Sequence, residues 1–376
     1  MRATVKPEPN HFEWIDLWRG LAAMGILFYH VRVHLWVGWN EIQAHPENFS
    51  AFDRLTAWLS VPLPFLGSGV MLFFVVSGFC IHYPKVGATK FGARTYAIRR
   101  ALRIVPPYLA AVAFSLAVEW AGQRWLNLRG PFLSSSETIW KTIFFVQNYP
   151  PSWGQLGSNP SLWSLPVEVE LYIIYPLLFW LGTRMGGKVT LLMVAMVSAT
   201  AFYLAGTSAP WLVGNFTLYW IIWCAGAALA QGLRSGRLPA WRNWLWAPLL
   251  AAAGAALAAR MNRGSDILSQ YFWAVAFFIL LWRCLSWPPP SALLPKRVAS
   301  GLLWLGQISY SLYLIHFPFF LLAGAAWTAW QGGKPANLLV AFAAVLLVIP
   351  VAGLFYQVIE KPSHALARQW GRSEKS

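Results

Sequence analysis

About ten stretches of this chain, near residues 14–37, 65–82, 101–121, 163–182, 189–206, 211–232, 243–259, 268–285, 301–326 and 338–359, are long apolar runs. A hydrocarbon core about 30 Å thick is crossed by roughly 20 helical residues, so these runs are long enough to span a bilayer. Lipid offers no partner to a free peptide group, whereas a helix satisfies its own. The runs therefore predict an all-α, polytopic transmembrane helical bundle. Composition agrees: 57% of residues are hydrophobic, 11% are charged and the mean hydropathy is +0.49, which excludes a soluble domain with an ordinary surface. A single integral-membrane domain over 1–376 is expected, without a separate soluble domain and without an internal repeat.

The formal charge of +16 raises the question of nucleic acid. The cations, however, sit in short clusters between apolar runs, which makes the lipid bilayer the simpler partner and argues against nucleic acid. Arg2 and Lys6, the stretch Lys85 to Arg103, Arg184 and Lys188, Arg234 to Arg242, Lys296 and Arg297, and the tail from Lys361 fall on one side. The other side receives only Arg54, Arg124, Arg129, Lys141, Arg260, Arg263 and Lys334. The positive-inside rule then puts both termini in the cytoplasm and leaves two long outward loops, 38–64 and 122–162. The first run is too long for a signal-peptide core and is read as retained. Cys80, Cys224 and Cys284 are odd in number and lack ligand spacing, so they are read as packing residues. The run "GTRMGGKV" at 182–189 approaches a phosphate-binding loop, but Val189 stands where a hydroxyl is needed and no strand precedes it.

The first run, "WIDLWRGLAAMGILFYHVRVH", carries Asp16, Arg19, His30 and His34. At about 100° per residue, Arg19 and His30 lie within roughly 20° of one another and about 16.5 Å apart along the axis, so they share one helix face. Asp16 and His34 flank that stripe, while Arg32 points elsewhere. Charge in hydrocarbon costs about 2.5 kcal/mol or more, and such groups normally face a bundle interior and carry function. Arg19 and Asp16 alternatively form an ordinary i,i+3 pair near the helix end, and a satisfied core histidine is the alternative for His30. His34, near the far interface, reads as ordinary, and without an HExxH pattern no metal site is expected.

The stretch "IDLWRGLAAMGILFYHV", with ten residues between Arg19 and His30, resembles the opening motif of the acyltransferase family 3 membrane proteins. "GVMLFFVVSGFCI" at 69–81, "RRALRIVPPY" at 99–108, "SLWSLPVEVELYIIYP" at 161–176, "GQISYSLYLIHFP" at 306–318 and "YQVIEKP" at 356–362 follow in family order, over nearly the whole chain. Glu168 matches the first acid of the family's usual adjacent pair; the second is displaced to Glu170. The resemblance implies transfer of an acyl group, often acetyl, from cytoplasmic acyl-CoA to a hydroxyl of a carbohydrate or lipid-linked glycan across a bacterial inner membrane.

Such chemistry needs a base for a weakly nucleophilic alcohol, and a neutral imidazole with an ordinary pKa of about 6.5 serves at cellular pH. His30 is the candidate base, acting by direct transfer or through an acyl-histidine. Arg19 is a candidate for donor phosphates or for a network with Asp16. Arg99, Arg100 and Arg103 form an i,i+3/i,i+4 basic cluster that reads either as a cytoplasmic flank or as a coenzyme A phosphate site, and the resemblance favours the latter. Glu168 and Glu170 lie about 160° apart on a helix and cannot face one site; Glu168 is either a capping acid or the functional one, and an acceptor role is expected of it. Ser77 and Gly78 read as packing. Tyr310, Ser311, Tyr313 and His316 either line a cavity or make hydrogen-bonded packing. A transporter or exporter of a polar substrate would also carry intramembrane His, Arg and Glu, and is the rival reading.

Overall fold

The computed structural model describes residues 12–150, 154–261 and 266–370. Arg2, Lys6, Arg263 and the end of the basic tail lie outside them. Among the described residues there is no strand. The longer helices are α1 (Glu13–Leu35), α2 (Gly69–His82), α3 (Ala93–Leu126), α4 (Ser164–Met185), α5 (Gly187–Thr207), α6 (Phe216–Arg234), α7 (Trp246–Met261), α8 (Asp266–Leu285), α9 (Lys296–Gln307), α10 (Ser309–Gln331), α11 (Leu338–Phe355) and α12 (Lys361–Gln369). Nine helical segments among the described residues have the length and hydropathy to cross a membrane. The first helix is not among them, because its polar side chains lower its hydropathy, yet it is the most centrally packed. It lies against α2, α9, α10 and α11, burying Ile15, Ala23, Ile26, Leu27 and Val31.

Two expected spans differ in detail. The run at 301–326 is not one helix: α9 ends at Gln307 and α10 begins at Ser309. At Ile308 the backbone leaves the helical region, and Ser309 Oγ donates to the Gly306 carbonyl at 2.8 Å. Gly306 sits on the Asp16 backbone so closely that a Cβ would lie 2.1 Å from the Asp16 oxygen, which docks α9 on α1. The run at 101–121 extends to 34 residues, 93–126, reaching well past a hydrocarbon core and carrying its arginines on the first turns.

Prolines inside these helices each remove an N–H and orphan the carbonyl four residues earlier. Pro106 frees Leu102, whose carbonyl accepts from Ser363 Oγ of α12. Pro176 frees Tyr172, which accepts from Tyr96 OH at 3.1 Å. Pro318 frees Leu314, which accepts from Asn159 Nδ2 at 2.9 Å. These three freed carbonyls are thereby tied to other elements. Asn159 belongs to the long 122–162 segment, which also folds onto the bundle through Glu119, a buried carboxylate accepting from Ser134 N, Ser134 Oγ and Ser158 Oγ at 2.8, 2.6 and 2.7 Å. Between α2 and α6 the backbones touch: a Cβ on Gly78 would lie 1.9 Å from Trp223 O, and one on Gly226 would lie 1.8 Å from Val75 O.

Candidate functional site

Two polar cavities lie inside the bundle. The first is lined by Arg19 of α1, Ser77 and Cys80 of α2, Arg100 and Arg103 of α3, Glu168 and Tyr172 of α4, Tyr310 and Tyr313 of α10, and Glu360 and His364 at the α11–α12 junction. Here the first turns of α3 meet the polar end of α1, so three guanidinium groups face two carboxylates. Arg19 stands 3.7 Å from Asp16 Oδ1, the i,i+3 pair the sequence predicts, and lines the cavity as well. Glu360, 1% exposed, accepts from Ser311 N at 3.1 Å and from Ser311 Oγ at 2.5 Å. Arg100 lies 5.8 Å from the centre of the Tyr172 ring, and its Nε is buried with no hydrogen-bond partner among the described residues. An orphaned buried guanidinium donor fits an anion such as a phosphate. Arg99, grouped with these two in the sequence, does not line the cavity.

Glu168 belongs to this arginine cavity. Its Oε1 accepts from Tyr172 OH at 2.5 Å and from Ser77 Oγ at 3.2 Å. It is the fifth residue of α4, outside the capping turn, and the structure brings it to the arginines rather than to His30. Ser77, expected as packing, is a cavity residue and also accepts from Trp223 Nε1 at 3.2 Å. Glu170 faces away as the helix geometry requires, accepting from Tyr149 OH at 2.6 Å and Phe216 N at 3.0 Å and so joining the outer segment to α6. Burial first, and the hydrogen bond to Glu170 second, raise the pKa of the Tyr149 phenol and keep it a donor.

The second cavity, of about 250 Å³, is lined by Tyr29 and His30 of α1, Trp163, Arg260, Asp266, Ser269, Gln270 and Trp273, and again by Tyr313. Val70 and Tyr313 line both cavities, so the two are separated by little more than one apolar and one phenolic side chain. The Gln270 Oε1 is buried without a hydrogen-bond partner among the described residues, and Arg260 and Asp266 form an ion pair. Nδ1 of His30 lies 2.8 Å from Nε2 of His316, which is itself fully buried. His34 is buried between the Phe132 and Phe317 rings, apart from both cavities, with no contact that assigns it a role. Nothing in the sequence motifs pointed to Gln270 or Trp273, which both come from α8. The acid Glu360 stood in the sequence inside the motif "YQVIEKP", without a role of its own.

An all-α membrane bundle with a cationic cavity backing onto an imidazole-bearing one is the architecture of a membrane-embedded group-transfer or transport protein. A family model described as "Acyltransferase domain" matches residues 12–357, and the chain belongs to that family. It is 28% identical over 322 residues to a protein of Bacillus subtilis (strain 168) whose name provisionally assigns it as a peptidoglycan O-acetyltransferase, covering 78% of this chain and 50% of the relative. It is 27% identical over 203 residues to nodulation protein 10 of Rhizobium leguminosarum bv. viciae, covering 50% of each. The chain thus spans about half the length of these curated relatives. No solved structure matches it significantly.

Proposed function

We propose that this protein is a membrane O-acyltransferase that moves an acyl group, acetyl in the simplest case, from acyl-CoA to a glycan hydroxyl. The observation that carries this reading is the pair of cavities meeting at Tyr313, one cationic and one with an imidazole on its wall. Arg19, Arg100 and Arg103 suit the phosphates of coenzyme A, with the thioester arm directed past Val70 and Tyr313. The second cavity suits a sugar: Trp163 and Trp273 offer apolar faces, and the buried Gln270 oxygen, without a partner among the described residues, accepts from a hydroxyl. The family and the name of the Bacillus relative favour a carbohydrate acceptor.

In this mechanism the acceptor hydroxyl attacks the thioester carbon while His30 takes its proton; the C–S bond breaks, and the proton passes to the departing thiolate. Arg99, outside the cavity lining, serves as part of the basic flank. Glu168, expected from sequence to orient the acceptor, acts instead by setting the charge of the donor cavity. On this reading the arginine cavity faces the cytoplasm of a bacterial inner membrane, with both termini on that side, an orientation that the cation asymmetry supports.

The purified protein should transfer radiolabel from acetyl-CoA to a glycan acceptor. Absence of transfer, together with protein-dependent movement of unmodified glycan into proteoliposomes, would replace this reading with a transporter. Sidedness is checked by single cysteines in a background lacking the native three: an impermeant reagent applied to intact cells should label position 135 and spare position 90.

A further inference from the structure

We infer that His316 is a positioning residue for His30: it holds the imidazole in one tautomer and shares the charge that develops on it. This rests on the reading of His30 as base. The chain of contacts has a fixed direction. Nδ1 of His316 lies 2.8 Å from the Tyr313 carbonyl and 3.2 Å from the Leu312 carbonyl of its own helix. A carbonyl oxygen only accepts, so Nδ1 of His316 carries a hydrogen, and in the neutral ring Nε2 holds the lone pair. That nitrogen faces Nδ1 of His30 at 2.8 Å, and one of the two must donate; with His316 Nε2 bare, His30 Nδ1 is the donor. His30 Nε2 is then the basic nitrogen, on a side chain that lines the second cavity and makes no other side-chain hydrogen bond among the described residues.

The ring geometry supports a real hydrogen bond. The ring centroids are 5.0 Å apart and the planes 21° from parallel. With nitrogens at 2.8 Å, that separation belongs to two rings meeting edge to edge, with the lone pair in line with the N–H. His316 is held rigidly, at 0% exposure, with Phe317 and Phe320 edge-on to its ring. A buried carboxylate in the same place would add a permanent charge to the middle of the bundle, whereas a neutral imidazole orients the base without one.

When the acceptor's O–H bond breaks, its proton joins His30 Nε2. The positive charge then spreads along Nδ1–H to His316 Nε2 until the Nε2 proton reaches the thiolate. His316 thus occupies the place that an aspartate holds in a Ser-His-Asp triad, where loss of the correct tautomer costs about 10⁴ in kcat.

The test compares His316→Leu, His316→Gln and His316→Asn in the purified enzyme, reading kcat and both KM values. Leucine removes the acceptor and should lower kcat at least about 100-fold with both KM values within about twofold. Glutamine offers an oxygen near the position of Nε2 and should recover most of the loss; asparagine, too short to reach His30, should not. The double variant His30→Ala/His316→Leu should be no slower than His30→Ala alone, since the pair acts as a unit. A folded leucine variant with unchanged kcat, or glutamine no better than asparagine, overturns the inference. If leucine does not fold, the glutamine–asparagine contrast decides. Loss of kcat in His30→Ala beside an unaffected His316→Leu sinks this inference alone, whereas an active His30→Ala sinks the underlying reading.

Discussion

The two cavities share Tyr313 but are built on opposite electrostatic plans. The arginine cavity gathers formal charge of both signs where the polar end of α1 meets the first turns of α3 and the α11–α12 junction. Among its charged groups, Glu360 Oε2 accepts from a backbone N–H and a hydroxyl, whereas Glu360 Oε1 and Arg100 Nε are buried with no hydrogen-bond partner among the described residues. The histidine cavity relies on neutral groups around His30: an imidazole pair anchored to helix carbonyls, indoles and an amide. The ion pair of Arg260 with Asp266 bridges the ends of α7 and α8. The difference teaches that charge is tolerated where helix ends bring counter-charge. Around the His30–His316 pair, hydrogen-bond direction is controlled by backbone carbonyls instead.

The sharpest break of that contrast is His30→Ala. Transfer should fall about 10³-fold, within the usual range for a general base, while the donor KM and membrane insertion stay unchanged. Comparable turnover in the variant would show that the neutral cavity is not where chemistry occurs. The double substitution Arg100→Ala/Arg103→Ala should do the opposite, raising the donor KM about 10- to 100-fold, or about 1.4–2.8 kcal/mol, with the acceptor KM unmoved. Calorimetry with coenzyme A checks it, and unchanged affinity would assign these arginines to the membrane flank.

A stability prediction separates scaffold from site. Gly226→Ala forces a Cβ toward the Val75 carbonyl and should cost about 1–3 kcal/mol, read as a lowered melting temperature in detergent. The smallest effects compare the two acids. Glu168→Gln replaces a carboxyl group of the arginine cavity by an amide and should lower the donor KM about threefold without touching the acceptor KM. Glu170→Gln should leave both KM values unchanged and cost about 1 kcal/mol of stability, because an amide oxygen still accepts from Tyr149 or Phe216. An acceptor KM that moves with Glu168 and a donor KM that does not would reverse the assignment of the two cavities.

Apolar runs and helical spacing determined much of this protein directly. The bundle, the shared face of Arg19 and His30, and the opposed directions of Glu168 and Glu170 follow from local rules, since helix geometry and the insolubility of bare peptide groups in lipid act within one segment. The family motifs reached the same residues independently. Local rules are silent on how segments meet. Only the tertiary structure separated Arg99 from Arg100 and Arg103, brought Glu168 and Glu360 to the arginines, interrupted the ninth run at Ile308, and turned His316 of α10 onto His30 of α1. The physical reason is the same throughout: a buried polar group is assigned by its partner, and these partners lie tens to hundreds of residues away, as with Asn159 on the carbonyl freed by Pro318.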